Sequence, residues 1–325
     1  MMDCEVAVIG GGPSGSVAAA LLARNGVDVV LVERTHYQQF RPGEFLSPLG
    51  KHYLASLQML DGITSDVWKP SPGILTCWSD SVPRAHDFIL GPYGDGWRLD
   101  RRRFDSALCD TASRSGAKCW LDTTVLSASR AVDSWELQLR SGRKNLVLKS
   151  RFILITTGRA GLLGVSSKRT RKDKQVAIIG ISNHDNGFID EPRLLIESLP
   201  NGWCYGLSIP GGKSIAAFIT DRDLIPKDRN RSSYVVSELQ QSNLIWHRIQ
   251  NGFEQMEFTT FSADSSFSSP IPIDGCFVAG DALNALDPLS GNGISFAVRT
   301  AQQVAECLLK HRAGESIDRY PRLVH

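Results

Sequence analysis

Cys4-Glu5-Val6-Ala7-Val8-Ile9-Gly10-Gly11-Gly12-Pro13-Ser14-Gly15 stands at the head of the chain, and its reading decides the fold. The apolar residues up to Ile9 predict a short buried strand that runs without a gap into a glycine turn. Ser16 to Asn25 follows, with Val17, Ala18, Leu21 and Leu22 at helical spacing and a stop at Gly26. A second apolar strand, Val27 to Val32, ends in Glu33-Arg34. Strand, glycine turn, helix, strand and acid, in that order, make the βαβ dinucleotide-binding fingerprint. Gly10 serves the tight turn, Gly12 the approach of a pyrophosphate to the backbone, and Gly15 the close packing of helix on strand. Pro13 and Ser14 open the helix whose free N–H groups and dipole face the phosphates. Glu33 is placed to accept from a ribose hydroxyl. This stretch alone leaves FAD and NAD both open.

The bulk properties exclude several classes. A chain of 325 residues, 42% hydrophobic and 22% charged, has an ordinary soluble globular composition. A net charge of +2 implies no nucleic-acid partner. No apolar run reaches the roughly 18 residues that a membrane span needs. Asp3 and Glu5 interrupt the start, against a signal peptide. Seven scattered cysteines with no CxxC pair point to a reducing compartment, with the cytoplasm as the expected location. The seven histidines show no ligand spacing, so no metal is expected. The basic run Lys168 to Lys174 reads as a solvated loop.

Along the chain, Leu49 to Leu60 has helical spacing, and Asp100 to Ser115 predicts a second helix. Strands are expected at Lys118–Asp122, Val125–Ala131, Trp135–Arg140, Leu146–Lys149 and Arg151–Thr156, the last ending at Thr157-Gly158-Arg159. Val176–Ile181, Arg193–Leu199, Gly202–Ile209 and Ser214–Thr220 read as consecutive antiparallel strands, and Ser232–Asn251 as mostly helix. Cys276–Ala279 is a strand turning at Gly280-Asp281, and a closing helix begins at Ile294. Three short apolar strands that each end in a glycine turn belong in one sheet, because ligands collect at the carboxyl ends of such strands. The fold class is therefore α/β: a Rossmann-like domain of residues 1–66, 97–165 and 270–325, with an inserted β-rich substrate domain of residues 67–96 and 166–269.

The joint pattern resembles a known family. Gly10-x-Gly12-x-x-Gly15 with Glu33-Arg34, Asp100-Arg101-x-x-Phe104-Asp105, Thr157-Gly158-Arg159 and Gly280-Asp281 are similar to the FAD-dependent monooxygenase superfamily with the p-hydroxybenzoate hydroxylase-like fold. Arg41-Pro42-Gly43-Glu44 and Asp287-Pro288-Leu289-Ser290-Gly291-Asn292-Gly293 narrow it to the branch of flavin-dependent halogenases and geranylgeranyl reductases. Within that branch, the stretch Glu197 to Gly212 resembles flavoproteins that hydroxylate tryptophan in quinone-cofactor oxidases.

The resemblance implies FAD as the cofactor. Arg41 and Arg101 would contact its ribose and phosphates, and Asp281 its ribitol hydroxyls. Gly291, Asn292, Gly293 and Ile294 would bring a helix N-terminus to the flavin pyrimidine edge, where negative charge develops. Pro288 would border the face where oxygen reacts. Of the remaining candidate catalytic residues, Glu44 reads as a loop acid at the flavin or an exposed turn carboxylate, Glu197 as a substrate-facing base or a surface acid, and Trp203 as part of a packed sheet face or a wall of the substrate cavity. The implied activity is hydroxylation of an aromatic substrate through a flavin hydroperoxide, with the target tryptophan of a partner oxidase subunit as a candidate. O2 would be the oxidant, and NAD(P)H or a reductase the electron donor. The chain end at His325, soon after the closing helix, would either leave the site open to a protein segment or mark a truncated chain. A geranylgeranyl-reductase-like activity and a flavin-binding assembly factor are the alternatives. Halogenation stands last: halogenases carry a lysine just before a Gly-Ile pair and Trp-x-Trp-x-Ile-Pro. Here Lys69 precedes Gly73-Ile74 by four positions, and Trp203-Cys204-Tyr205 keeps only the first tryptophan.

Overall fold

In the computed structural model the opening residues do what their pattern dictates. The structure describes residues 2–78, 82–161, 169–184, 187–188, 190–227, 230–269 and 275–315. Strand Met2–Ile9 lies between Val29–Val32 and Lys144–Ile155, parallel to both. Val29–Val32 continues to Lys118–Trp120, and Cys276–Val278 pairs in parallel with the far end of Lys144–Ile155. The register sets Ile9 beside Ile155 and Ile155 beside Val278. The turns at Gly10, Gly158 and Gly280 therefore leave the sheet at one level, which is what makes a common ligand edge.

Side chains alternate along these strands, and both faces are covered, so the strands read as unbroken apolar runs. Val6, Val8, Leu31 and Leu154 pack against helices Pro13–Arg24, Arg101–Arg114 and Gly293–Arg312. Ala7, Ile9, Val30 and Ile155 face the antiparallel strands Thr123–Arg130 and Trp135–Ser141 through Leu137 and Leu139.

A second seven-stranded sheet runs in the order Glu257–Ser262, Gln175–Ser182, Lys213–Asp221, Gly202–Ile209, Leu194–Leu199, Gly73–Cys77, Arg84–Asp87. One face, with Ile178, Leu195, Cys204 and Phe218, is buried under Tyr234, Val235, Leu239 and Ile249 of two short helices. The other face carries Ile179, Leu194, Ile196, Trp203 and Ile219. A small sheet of Phe45–Leu46, Gly96–Leu99 and Trp68–Ser71 joins the two halves. Its buried Arg98 donates to the Pro70 carbonyl and to both the carbonyl and hydroxyl oxygens of Ser208.

Several expectations change. Leu146–Lys149 and Arg151–Thr156 form one strand, Lys144–Ile155, which along one edge exchanges an antiparallel partner, Trp135–Ser141, for a parallel one, Cys276–Val278, and buries Ser150 at the junction. Gln175–Ser182 is not next to Leu194–Leu199. It pairs with Lys213–Asp221 and with Glu257–Ser262, a strand absent from the sequence reading. The helix expected over 232–251 breaks into Arg231–Leu239 and Trp246–Ile249. Lys168 of the basic run and the chain end beyond 315 lie outside the described residues.

Candidate functional site

One cavity of about 990 Å³ runs from the glycine turns of the first sheet to the Trp203 face of the second. At its first end the three fingerprint glycines have three different surroundings. Gly10 has φ +109, and a Cβ there would lie 2.5 Å from the Thr156 carbonyl oxygen. A Cβ at Gly15 would lie 1.8 Å from the Gly10 carbonyl oxygen, so helix and strand touch there. A Cβ at Gly12 would meet nothing within 4 Å, so the backbone there is open to the cavity. Pro13 and Ser14 line the same end, and the helix they open has no side-chain cap.

Glu33 is buried, and its Oε2 accepts from Gly11 N at 2.8 Å. Its Oε1 accepts from Thr35 Oγ1 at 2.7 Å and from Arg41 Nη2 at 2.7 Å. Burial alone would raise this carboxyl, but Arg41 and the hydrogen bonds outweigh it and hold Glu33 below the usual carboxylate range. Glu33 thus shapes the glycine turn as well as lining the ribose end. Arg41 and Arg101 both line the cavity and both rest on the fully buried Asp105, at 3.3 Å and 3.0 Å. Arg34 lies exposed at the rim.

Gly158 and Asp281 line the middle of the cavity. Asp281 faces Arg159 Nε at 3.6 Å. Enclosure raises the Asp281 carboxyl, against the pull of Arg159, Arg101 and Arg169. Gly280 is not in the wall: it is buried behind Ser14, where a Cβ would come within 3.0 Å of the Ser14 Cβ. Pro288 sits in a single 3-10 turn, Pro288–Ser290, ended by Gly291 in the left-handed region. Helix Gly293–Arg312 then starts with no side-chain cap on its N-terminus, and Gly291, Asn292, Gly293 and Ile294 all line the cavity.

At the second end Trp203 and Tyr205 share one strand face, ring centroids 6.0 Å apart, with Ile179, Ile196 and Phe261 around them. Tyr205 donates its hydroxyl to Glu44 Oε2 at 3.1 Å. Burial raises the Glu44 carboxyl, and burial beside Glu44 pushes Tyr205 well above its usual range. Glu197 is a correction. Leu194 and Ile196 point into the cavity, so by alternation Glu197 points to the far face. There its carboxylate accepts from the backbone N–H groups of Asn243 and Leu244 at 2.7 and 2.8 Å and from Asn243 Nδ2 at 3.1 Å. It holds the break between the two short helices and does not reach the cavity. Lys69 is half-buried on strand Trp68–Ser71, also outside the wall.

The cavity fits a dinucleotide. Open cradles at Gly12, Gly158, Gly161 and Gly293 admit backbone contact. Ser14 Oγ and Thr157 Oγ1 are buried in its wall without a hydrogen-bond partner among the described residues. The sequence reading missed Asp105 as the anchor of both arginines. It also missed Tyr37, whose hydroxyl donates to the Gly11 carbonyl at 2.8 Å, and Arg159, which donates to the Asp264 and Leu286 carbonyls. Asp105 was visible in its motif; Tyr37 carries no local signal. Among the described residues no cluster of His, Cys, Asp and Glu could hold a metal, and no helix is long and apolar enough to cross a membrane.

The fold is the p-hydroxybenzoate hydroxylase-like architecture of FAD-dependent oxidoreductases. Residues 3–42 match the model of an FAD binding domain, and FAD is the cofactor of this class. A tryptophan 2-halogenase of Chondromyces crocatus is 25% identical over 326 residues, covering 96% of this chain and 62% of that protein. The myxobacterial chondrochloren halogenase CndH superposes with a TM-score of 0.88 at 21% identity, over 100% of this chain and 78% of that one. The peptidyl tryptophan dihydroxylase QhpG, described as essential for tryptophylquinone cofactor biogenesis, superposes with a TM-score of 0.80 at 22% identity, over 99% and 71%. The chain spans 62 to 65% of the length of the first curated relatives it matches. Those relatives correct the expected activity. They are flavin-dependent halogenases, as are most of the solved structures beside CndH, which overturns hydroxylation and, with it, the oxidase tryptophan as target. Lys69 and Trp203 argued against halogenases on two short motifs; the alignment runs along nearly the whole chain.

Proposed function

We propose that this protein uses FAD to halogenate an electron-rich aromatic ring. The observation that carries the reading is an aromatic chamber opening directly off the glycine cradle, in a chain of which 96% aligns with 62% of a tryptophan 2-halogenase. When bound and reduced, FAD supplies the activation of dioxygen that oxidises a halide. The chain's own residues bind and position. Backbone at Gly10, Gly12 and Gly158 receives the nucleotide half, and Arg41 and Arg101, fixed by Asp105, keep positive charge beside the phosphates. Asp281 would accept from the ribitol hydroxyls, and the uncapped N-terminus at Gly293 would stabilise charge at the pyrimidine edge. Pro288 would border the face of the flavin where oxygen reacts. Trp203 and Tyr205 hold the substrate ring, and their apolar neighbours exclude water, which would otherwise consume an oxidised halogen. No lysine lies in the described wall. NAD(P)H or a separate reductase would supply electrons, and the seven free cysteines suit the cytoplasm.

The test supplies FAD, a flavin reductase, NADH, oxygen, and chloride or bromide with a panel of indoles, pyrroles and phenols. The expected product carries one halogen in place of one ring hydrogen, read by mass spectrometry. The reading fails if no halogenated product forms with either halide while reduced flavin and oxygen are both consumed.

A further inference from the structure

Among the carboxylates in the cavity wall, Glu44 has an oxygen left over. Asp105 is shared by Arg41 and Arg101. Glu33 is taken by Gly11, Thr35 and Arg41. Asp281 faces Arg159, and Asp287 accepts from Leu289 N and Gln175 Nε2. Glu44 is 2% exposed, and its Oε2 accepts from Tyr205 at 3.1 Å and from Gly43 N at 3.2 Å. Its Oε1 is buried in the wall with no partner among the described residues. A buried polar atom left so is destabilising until something fills its place. Ser14 Oγ and Thr157 Oγ1 share the property but belong to the nucleotide turns. Glu44 stands at the chamber: the next residue, Phe45, packs on the chamber cluster, and Tyr205 belongs to a chamber strand.

We propose that Glu44 Oε1 accepts the ring N–H of the substrate, so that the protein selects N–H heteroaromatics of the indole or pyrrole class. The inference rests on an aromatic ring occupying the chamber, as in the proposed function. Either protonation state of the carboxyl keeps a lone pair for an N–H donor. An N-alkyl ring brings bulk and no donor; an oxygen heterocycle brings no N–H, and its ring oxygen is only a weak acceptor. Both leave Oε1 unpaired, and sites built around one hydrogen bond reject analogues that lack it more strongly than apolar pockets reject a change of size. Tyr205 acts as a positioning residue, holding Oε2 and leaving Oε1 to accept from the ligand.

The test is calorimetric binding of indole, 1-methylindole and benzofuran to the FAD-loaded protein, without halide or oxygen. Failure of halogenation would leave this result standing, and failure here would leave halogenation standing. Indole is expected to bind at least about tenfold more tightly than either analogue. Glu44→Leu should abolish the preference with flavin content unchanged. Glu44→Gln, whose amide oxygen still accepts, should keep part of it. Tyr205→Phe should weaken indole binding and leave benzofuran unaffected. Equal binding of the three rings by the native protein, or of none, overturns the proposal without any variant. A preference that survives Glu44→Leu overturns it too, as does loss of flavin from that variant, which would assign Oε1 to the cofactor.

Discussion

Gly12 and Gly15 are three residues apart and answer to different demands. Nothing in the protein lies within 4 Å of a Cβ at Gly12, whereas one at Gly15 would fall 1.8 Å from a backbone oxygen. Gly12→Val should therefore keep the unfolding midpoint of the apo protein and lose FAD, measured by absorbance of the purified protein; full flavin content would refute the cradle. Gly15→Ala should destabilise the fold by upward of about 3 kcal/mol in urea titrations, because backbone must move. Glu33 and Glu44 give opposite pH signs. Glu33, with a lowered pKa, contributes stability in full above the ordinary glutamate value of about 4.3, and loses it as pH falls through its own lower value. Glu44, with a raised pKa, keeps its proton in the folded state after the unfolded chain has lost one. Stability therefore declines as pH rises from about 4.3 through the Glu44 value. Glu44→Gln should accordingly raise the melting temperature at pH 8 and give no advantage at pH 3, a comparison that thermal scans at the two pH values make directly.

Strand Leu194–Leu199 divides its labour by period two. Leu194 and Ile196 wall the cavity, while Glu197 ties the backbone N–H groups of Asn243 and Leu244 behind the sheet. Glu197→Ala should cost about 2 kcal/mol of stability, since it leaves the buried Leu244 N–H unpaired. Turnover per bound flavin should be unchanged. Trp203→Phe, on the neighbouring strand and the cavity face, should do the reverse: flavin content and melting temperature near native, kcat/KM lowered about tenfold or more by loss of ring contact. A fall in turnover for Glu197→Ala at equal flavin content would return that residue to the site. From the sequence, Glu197, Trp203 and Tyr205 stood within one motif; their division between two faces followed once the strand's register was known.

Across the whole molecule, turns from the first sheet and side chains from the second line one cavity, and the Tyr205–Glu44 and Arg98–Ser208 hydrogen bonds tie the second sheet to the small joining sheet and the loop before it. A ligand filling it stabilises both halves. Free FAD at about 100 times its Kd should add about 2.7 kcal/mol and raise the melting temperature by roughly 5 °C over the flavin-stripped protein, read by calorimetry. The local sequence determined the βαβ unit, the glycine turns and the sharing of one sheet by Met2–Ile9, Lys144–Ile155 and Cys276–Val278. Period, turn chemistry and the space each glycine leaves are all properties of neighbouring residues. Only the tertiary structure decided that Asp105 anchors two arginines, that Tyr37 braces the Gly11 carbonyl, and that Gly280 packs where a wall residue was expected. It also set Gln175–Ser182 beside a strand some 80 residues away and gave Glu44 a partner 161 positions on. Contacts across such separations are selected by the packing of whole sheets, and no periodicity along the chain encodes which distant side chain will complete a hydrogen bond.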